Sequence, residues 1–379
     1  MLAVGLMSGT SLDGLDAVLC EVKGTGVDTE IKELAFETFE YPMKLRDLVK
    51  KVAENRPVSI AEVCSLNFEL GKWYADAVIN ICKNYGIASE ELGFVASHGQ
   101  TVYHIPHERD GLVASTLQLG ESAVIAYQCG CPVVSNFRTM DMAAGGEGAP
   151  LVPYSEYVLY QSAVKTIALQ NIGGIGNVTV IPAGGEIEDV VAFDTGPGNM
   201  MINAAMEILY DESFDKGGAV AASGDLIIEL VDELRDHPYL KMVPPKSTGR
   251  EVFGIEYTKQ LIETYNNYAP EDIIATLTWF TAYSIVYSYR EFIIPKYNLN
   301  EIILAGGGVH NLTLVEYIKE LIPEIDVFTQ EEKGFSSDSK EAVAFVILGN
   351  ETLHRKPSNV PGATGAKEKV VLGNVTRPN

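Results

Sequence analysis

The chain has 379 residues, 46% of them hydrophobic and 21% charged, a composition suited to a globular protein with two domains or one large doubled α/β unit. Its 28 Lys and Arg stand against 51 Asp and Glu, a formal charge of −23, which argues against a nucleic-acid surface or an anionic membrane as partner. Any anionic ligand must then be held by local devices: backbone N–H groups, helix N-termini or a metal ion.

From the N-terminus, "LAVGLMS", "LDAVLCEV" and "IKELAFETFEY" read as three strands of an antiparallel meander. Helical spacing follows, with Ile60, Val63, Leu66, Leu70, Ala77 and Ile81 on one face. A strand "LGFVASHGQT", a helix "ESAVIAYQCG" and a strand "CPVVSNF" continue in a way that suits parallel pairing. The theme then recurs. "TIALQNIGG", "IGNVTVIP" and "DVVAFDTGPG" are again three strands, followed by helices at "NMMINAAMEILY", near 225–236 and over 271–292. After them come a strand "EIILAGGG", a helix "NLTLVEYIKELIP", a strand "DVFT" and a last helix "SKEAVAFVILGNETLHRK". The duplication predicts one domain from residues 1–137 plus 356–379, with the Pro- and Gly-rich tail wrapping its surface, and a second from 138–355.

The remaining global features are quiet. Cys20, Cys64, Cys82, Cys129 and Cys131 match no zinc spacing or disulfide framework and are expected to be reduced thiols. No secretory signal pattern opens the chain, so a cytoplasmic protein is expected. The uncharged run "IIATLTWFTAYSIVYSY" is short for a membrane span and holds three Thr and two Ser, which favours a buried core helix.

Chemistry concentrates in glycine-rich turns that follow apolar strands: "MSGTSLDG", "FDTGPGN" and "LAGGGVHN". Glycine lets a ligand approach the backbone, and the exposed N–H groups can cradle phosphate oxygens. None is a Walker A loop, because no Gly-Lys-Ser/Thr follows. Three such turns, two carrying Asp, point to a nucleotide site.

Together with "ASHGQTVYH", "NFRTMDMAAGGEGAPLVP", "NIGGIGNVT" and "SSDSKEAVAF", these segments resemble the anhydro-N-acetylmuramic acid kinase family across nearly the whole chain and in the family's order. The resemblance implies two RNase H-like domains of the actin, sugar kinase and Hsp70 superfamily flanking a nucleotide cleft. It also implies a coupled reaction in which water opens the 1,6-anhydro ring of anhydro-MurNAc while O6 receives the γ-phosphate of ATP, yielding MurNAc 6-phosphate and ADP for peptidoglycan recycling. ATP and the sugar are then the small-molecule partners, Mg²⁺ accompanies the nucleotide, and a homodimer is the expected assembly.

Carried onto this chain, the resemblance makes Asp194 the base that deprotonates the attacking water. Capping the helix near Asn199 is the plainer role for Asp194, but five residues is too far for a simple cap. Gly9, Thr10, Ser11, Leu12, Asp13, Gly14, Leu15 and Asp16 become the ATP phosphate loop, with Asp13 or Asp16 orienting Mg²⁺ through water, or Asp16 merely ordering the hairpin. Gly174, Gly196, Gly306, Gly307 and Gly308 complete the nucleotide site, although helix packing would equally demand glycines there. His98, Gln100, Arg138 and Glu341 are the substrate candidates. Arg138 offers a fork to the lactyl carboxylate or an ordinary ion pair to Asp141, and Glu341 either touches sugar or favours its helix dipole. The chain departs from the family at Glu147, where Gln is usual, and at Ser339, where Ala is common. A different small-molecule kinase of the superfamily, or an ATP-binding module without enzyme activity, are the competing readings.

Overall fold

The computed structural model describes every residue except Thr10, Ser11, Asp13, Phe335 and Asn379. The expected roles of Thr10, Ser11 and Asp13 therefore lie outside the described residues. In chain order the strands are β1 (Leu2–Ser8), β2 (Gly14–Lys23), β3 (Glu30–Glu40), β4 (Phe94–Ile105), β5 (Ser115–Leu119), β6 (Val133–Ser135), β7 (Thr166–Ile172), β8 (Ile175–Ile181), β9 (Val191–Pro197), β10 (Leu299–Ala305), β11 (Asp326–Thr329) and β12 (Asn374–Thr376).

Two compact units form, Met1–Leu159 with Asp338–Asn379, and Tyr160–Ser337. In the first, the strand order is β12-β6-β4-β1-β2-β3, with β5 paired to β4. β1, β2 and β3 make the antiparallel meander, and β4 and β6 then add in parallel. In the second, the order is β11-β10-β7-β8-β9, with the same antiparallel meander and the same parallel additions. The core order 6-4-1-2-3 thus repeats as 11-10-7-8-9, which is the doubled RNase H-like arrangement.

Local chemistry explains the helices that cover the sheets. The helix Ile60–Tyr85 starts with a capping box, in which Ser59 Oγ accepts from Glu62 N and Glu62 accepts from Ser59 N, and it stops at Gly86, which takes a φ of 87°. Its buried stripe, including Leu66, Leu70, Tyr74 and Val78, packs in one core with Val4, Leu6 and Leu19 from the sheet. Within the same unit, the helix Lys340–Leu353 is buried from Ala342 to Thr352 and contacts β1, β2, β4 and β6. Any side chain at Gly5 of β1 would meet the Ala342 carbonyl, so helix and strand touch backbone to backbone.

This packing shifts the expected domain limits. The stretch 138–159 and the helix Lys340–Leu353, both expected in the second domain, belong to the first compact unit. The tail lies on that unit as well, through the pairing of β12 with β6. Strands β5 and β12 and the helices Met43–Ala53, Val152–Tyr160, Arg250–Phe253 and Ile255–Thr264 add to the predicted elements. The uncharged run forms the helix Pro270–Ser288 with a π-helical turn at Tyr289–Ile293, and among the described residues no helix is long and apolar enough to cross a membrane. All five cysteines are free, Cys64 alone exposed.

Candidate active site

In the first unit, β1 delivers Ser8 to the edge of the opening loop. Ser8 Oγ and Tyr41 OH both donate to Gln100 Oε1 at 2.6 Å, and Gln100 Nε2 donates to the carbonyls of Gly9 and Thr101 at 3.2 and 3.1 Å. Gln100, expected to meet the sugar, is instead buried with both ends of its amide engaged. What it holds is the start of the loop at Gly9. Leu12 takes a φ of 59° and packs on the core, and Leu15 is fully buried, so both anchor the loop by their side chains. Asp16 faces Thr38 across the β2–β3 ladder and accepts its hydroxyl at 2.7 Å, which is the hairpin-ordering role.

His98 leaves the same strand and packs its ring against Phe345. Arginine can only donate, so the bonds to His98 Nε2 from Arg138 Nε (3.0 Å) and Nη2 (2.8 Å) place the imidazole proton on Nδ1, which donates to the Gly99 carbonyl at 2.8 Å. Burial, then the Arg138 cation, push the His98 pKa down to about 3 despite the carbonyls of Gly99 and Ser8. His98, expected at the ligand, is only 3% exposed and holds Arg138 through Nε2.

Arg138 also donates through Nη1 to the Gly148 carbonyl at 2.8 Å, which engages three of its five N–H groups and leaves two. It forms no ion pair with Asp141. That buried carboxylate accepts from Gly148 N, Asn359 Nδ2 and Thr364 Oγ1 at 2.7 to 2.8 Å. Arg138 and Asp141 therefore clamp the two polar ends of one glycine, and the C-terminal tail completes the clamp. Glu341, in the first helical turn, has its carboxyl pushed up by desolvation and by Asp16, against the pull of Lys340 and Arg138. Arg138, Glu341 and Asp16 are thus electrostatic neighbours. Glu147 pairs with exposed His107 at 3.1 Å.

In the second unit, Asp194 lies within β9 rather than in the turn beyond it. Its backbone N–H donates to the Lys246 carbonyl at 3.0 Å, its carbonyl accepts from Tyr239 OH at 2.7 Å, and Oδ2 accepts from Thr248 N at 2.9 Å. Oδ1 has no hydrogen-bond partner among the described residues. Desolvation raises the Asp194 pKa and Glu251 adds to it, while the Thr248 N–H opposes them. A half-buried carboxylate with one oxygen fixed and the other open has the form of a general base. The carboxylate engages Thr248, not the helix Met200–Tyr210.

Glycine turns meet around the start of that helix. The amides of Gly198 and Met200 donate to the Gly174 carbonyl, and that of Asn199 to the Gly173 carbonyl, at 2.7 to 3.1 Å. A side chain at Gly306, whose φ is 82°, would strike Asn171 and Ile172; one at Gly308 would strike Ile172, and one at Gly196 would strike Ser284. A side chain at Gly307 would instead meet only Asn199, at 3.9 Å.

Sequence reasoning overlooked what supports these turns. Thr281 Oγ1 donates to the Gly198 carbonyl at 2.8 Å, Ser288 Oγ donates to the Thr195 carbonyl, and Tyr289 OH reaches Gln170, whose amide donates to Thr195 Oγ1. The signal was present as hydroxyls at 281, 284 and 288, which share one face of the helix Pro270–Ser288. Lys246 and Thr248, in "PPKSTGRE", carried no such periodic mark.

The family model described as anhydro-N-acetylmuramic acid kinase matches residues 1–378. Relatives bearing that description share 53% identity in Clostridioides difficile (99% of this chain, 98% of the relative), 51% in Bacillus cereus (100% of each) and 51% in Francisella tularensis subsp. novicida (98% and 97%). A match of this extent, covering the glycine turns, Arg138 and Asp194 alike, means that the chain belongs to the anhydro-N-acetylmuramic acid kinase family.

Proposed function

We propose that the protein uses ATP to open the 1,6-anhydro ring of anhydro-N-acetylmuramic acid and to phosphorylate O6, releasing MurNAc 6-phosphate and ADP in the recycling of cell-wall sugar. The observation that carries this reading is Asp194, half-buried, with Oδ2 fixed by Thr248 N–H and Oδ1 open. Asp194 Oδ1 takes a proton from water as the water oxygen bonds to C1 and the C1–O6 bond breaks. O6 then takes the γ-phosphoryl group, and ADP leaves with the bridging oxygen.

The other residues bind and orient. The two N–H groups that Arg138 keeps face the lactyl carboxylate, and His98 and Gly148 hold the guanidinium still for that contact. Gly9, tied to Gln100, begins the phosphate loop, and Gly307 gives the nucleotide close access to the backbone beside Asn199. Asp16, whose charge already weighs on Glu341, fits a hydrated Mg²⁺. Bound there, the ion would neutralise phosphate charge during transfer.

The test is ADP release with ATP, Mg²⁺ and anhydro-MurNAc, read together with the mass of the sugar product. Sugar-dependent ADP and a sugar heavier by water and a phosphoryl group are expected; ADP release indifferent to the sugar overturns the reading. Asp194→Asn should lower kcat by roughly a hundredfold to ten-thousandfold with ATP binding retained.

A further inference from the structure

Lys246 is 6% exposed and makes no ion pair among the described residues. Its ammonium donates to the carbonyls of Tyr239 and Leu240, both at 3.3 Å, and lies 4.6 Å from the Tyr239 ring and 4.9 Å from that of Phe292. Burying an ammonium is costly when no counter-charge offsets it, and burial draws the Lys246 pKa down to about 8. Carbonyl and ring contacts return part of that cost. A methionine of similar length would fill the same space without it, so stability is a poor account of a lysine here.

The contacts close a circuit around Asp194. The Lys246 carbonyl accepts the Asp194 N–H, and Thr248, two residues on, donates to Asp194 Oδ2. From Lys246 the side chain runs back to the Tyr239 carbonyl, and Tyr239 OH donates to the Asp194 carbonyl. We propose that Lys246 is a positioning residue for Asp194, its buried ammonium tying the 246–248 segment to the 239–240 turn so that one carboxylate oxygen stays fixed and the other stays aimed at water. The inference rests on the reading of Asp194 as the base.

Lys246→Met in the full chain separates positioning from mere packing. The thermal midpoint should stay level or rise, KM for ATP should hold, and kcat should fall roughly ten- to a hundredfold. The acid limb of the kcat profile should also move to higher pH, because a displaced Thr248 N–H no longer favours the charged carboxylate, while Glu251 still repels it. Lys246→Arg keeps the cation and donors and should recover part of the rate. Wild-type kcat in K246M overturns the proposal, as does a kcat that falls only in step with the midpoint while the acid limb stays in place. If K246M does not fold, Tyr239→Phe decides: it removes the hydroxyl but keeps the ring, so the same signature supports the circuit and wild-type kcat overturns it. Wild-type protein without sugar-dependent ADP release would instead defeat the assigned activity, and this inference with it.

Discussion

Lowering the pH should weaken the first unit through His98 alone by an amount that can be calculated. In the unfolded chain the ring titrates near its ordinary 6.5, whereas in the folded unit burial and Arg138 hold it at about 3. Between those values the unfolded chain takes up a proton that the folded unit refuses, so stability present above 6.5 is lost as pH falls. pH 5 lies about 1.5 pH units below the unfolded-state value, and at about 1.36 kcal/mol per unit the loss there is about 2 kcal/mol. The two tryptophans, Trp73 and Trp279, fall in different units, so Trp279→Phe leaves Trp73 to report urea unfolding of the first. His98→Gln keeps an acceptor for Arg138 but does not titrate. In that background, moving from pH 7 to pH 5 should cost the histidine form about 2 kcal/mol more than the glutamine form. Equal losses in both would show that the ring is not the buried neutral acceptor of the Arg138 fork.

Other perturbations separate the elements of the second unit. At neutral pH the raised Asp194 pKa means that its charged form opposes folding, an effect that grows as pH rises from the unfolded to the folded value. Asp194→Asn should therefore unfold no earlier than wild type at pH 7 while losing kcat. Gly306→Ala, at a φ of 82° and against Asn171 and Ile172, should lower the thermal midpoint, whereas Gly307→Ala, with its nearest neighbour at 3.9 Å, should leave the midpoint unchanged and raise KM for ATP. Thr281→Val leaves the Gly198 carbonyl unpaired, so denaturant unfolding should show a loss of about 1 to 3 kcal/mol, together with a reduced kcat.

Elements governed by local rules were legible in the sequence. The alternation of β1, β2 and β3 and of β7, β8 and β9 exposed both meanders, and Ser59, Glu62 and Gly86 explain why the helix read between them starts and stops where it does. Asp194 stood out in the sequence as a candidate base because its segment belongs to an ordered set of motifs. The domain limits were harder to read, since the helix Lys340–Leu353 follows the second sheet in sequence but is buried against the first. Only a long-range fit, Gly5 against the Ala342 backbone, reveals its owner.

The same distinction accounts for His98 and Gln100. Residue type suggested groups able to meet a sugar, and both can donate and accept. In the structure each spends that capacity on protein, Gln100 on the Gly9 carbonyl and His98 on Arg138. A polar side chain in a motif has two ways to matter: it can touch the ligand, or it can fix the group that does. Spacing along the chain is identical in the two cases, because both need the residue at that place in β4, a strand that runs on to Ile105. Burial bears on the difference, since His98 is only 3% exposed and both of its ring nitrogens are engaged by protein. Lys246 is the extreme of that second kind, more hidden than Asp194 and without an ion-pair partner among the described residues, and its charge is therefore best explained by what it holds in place.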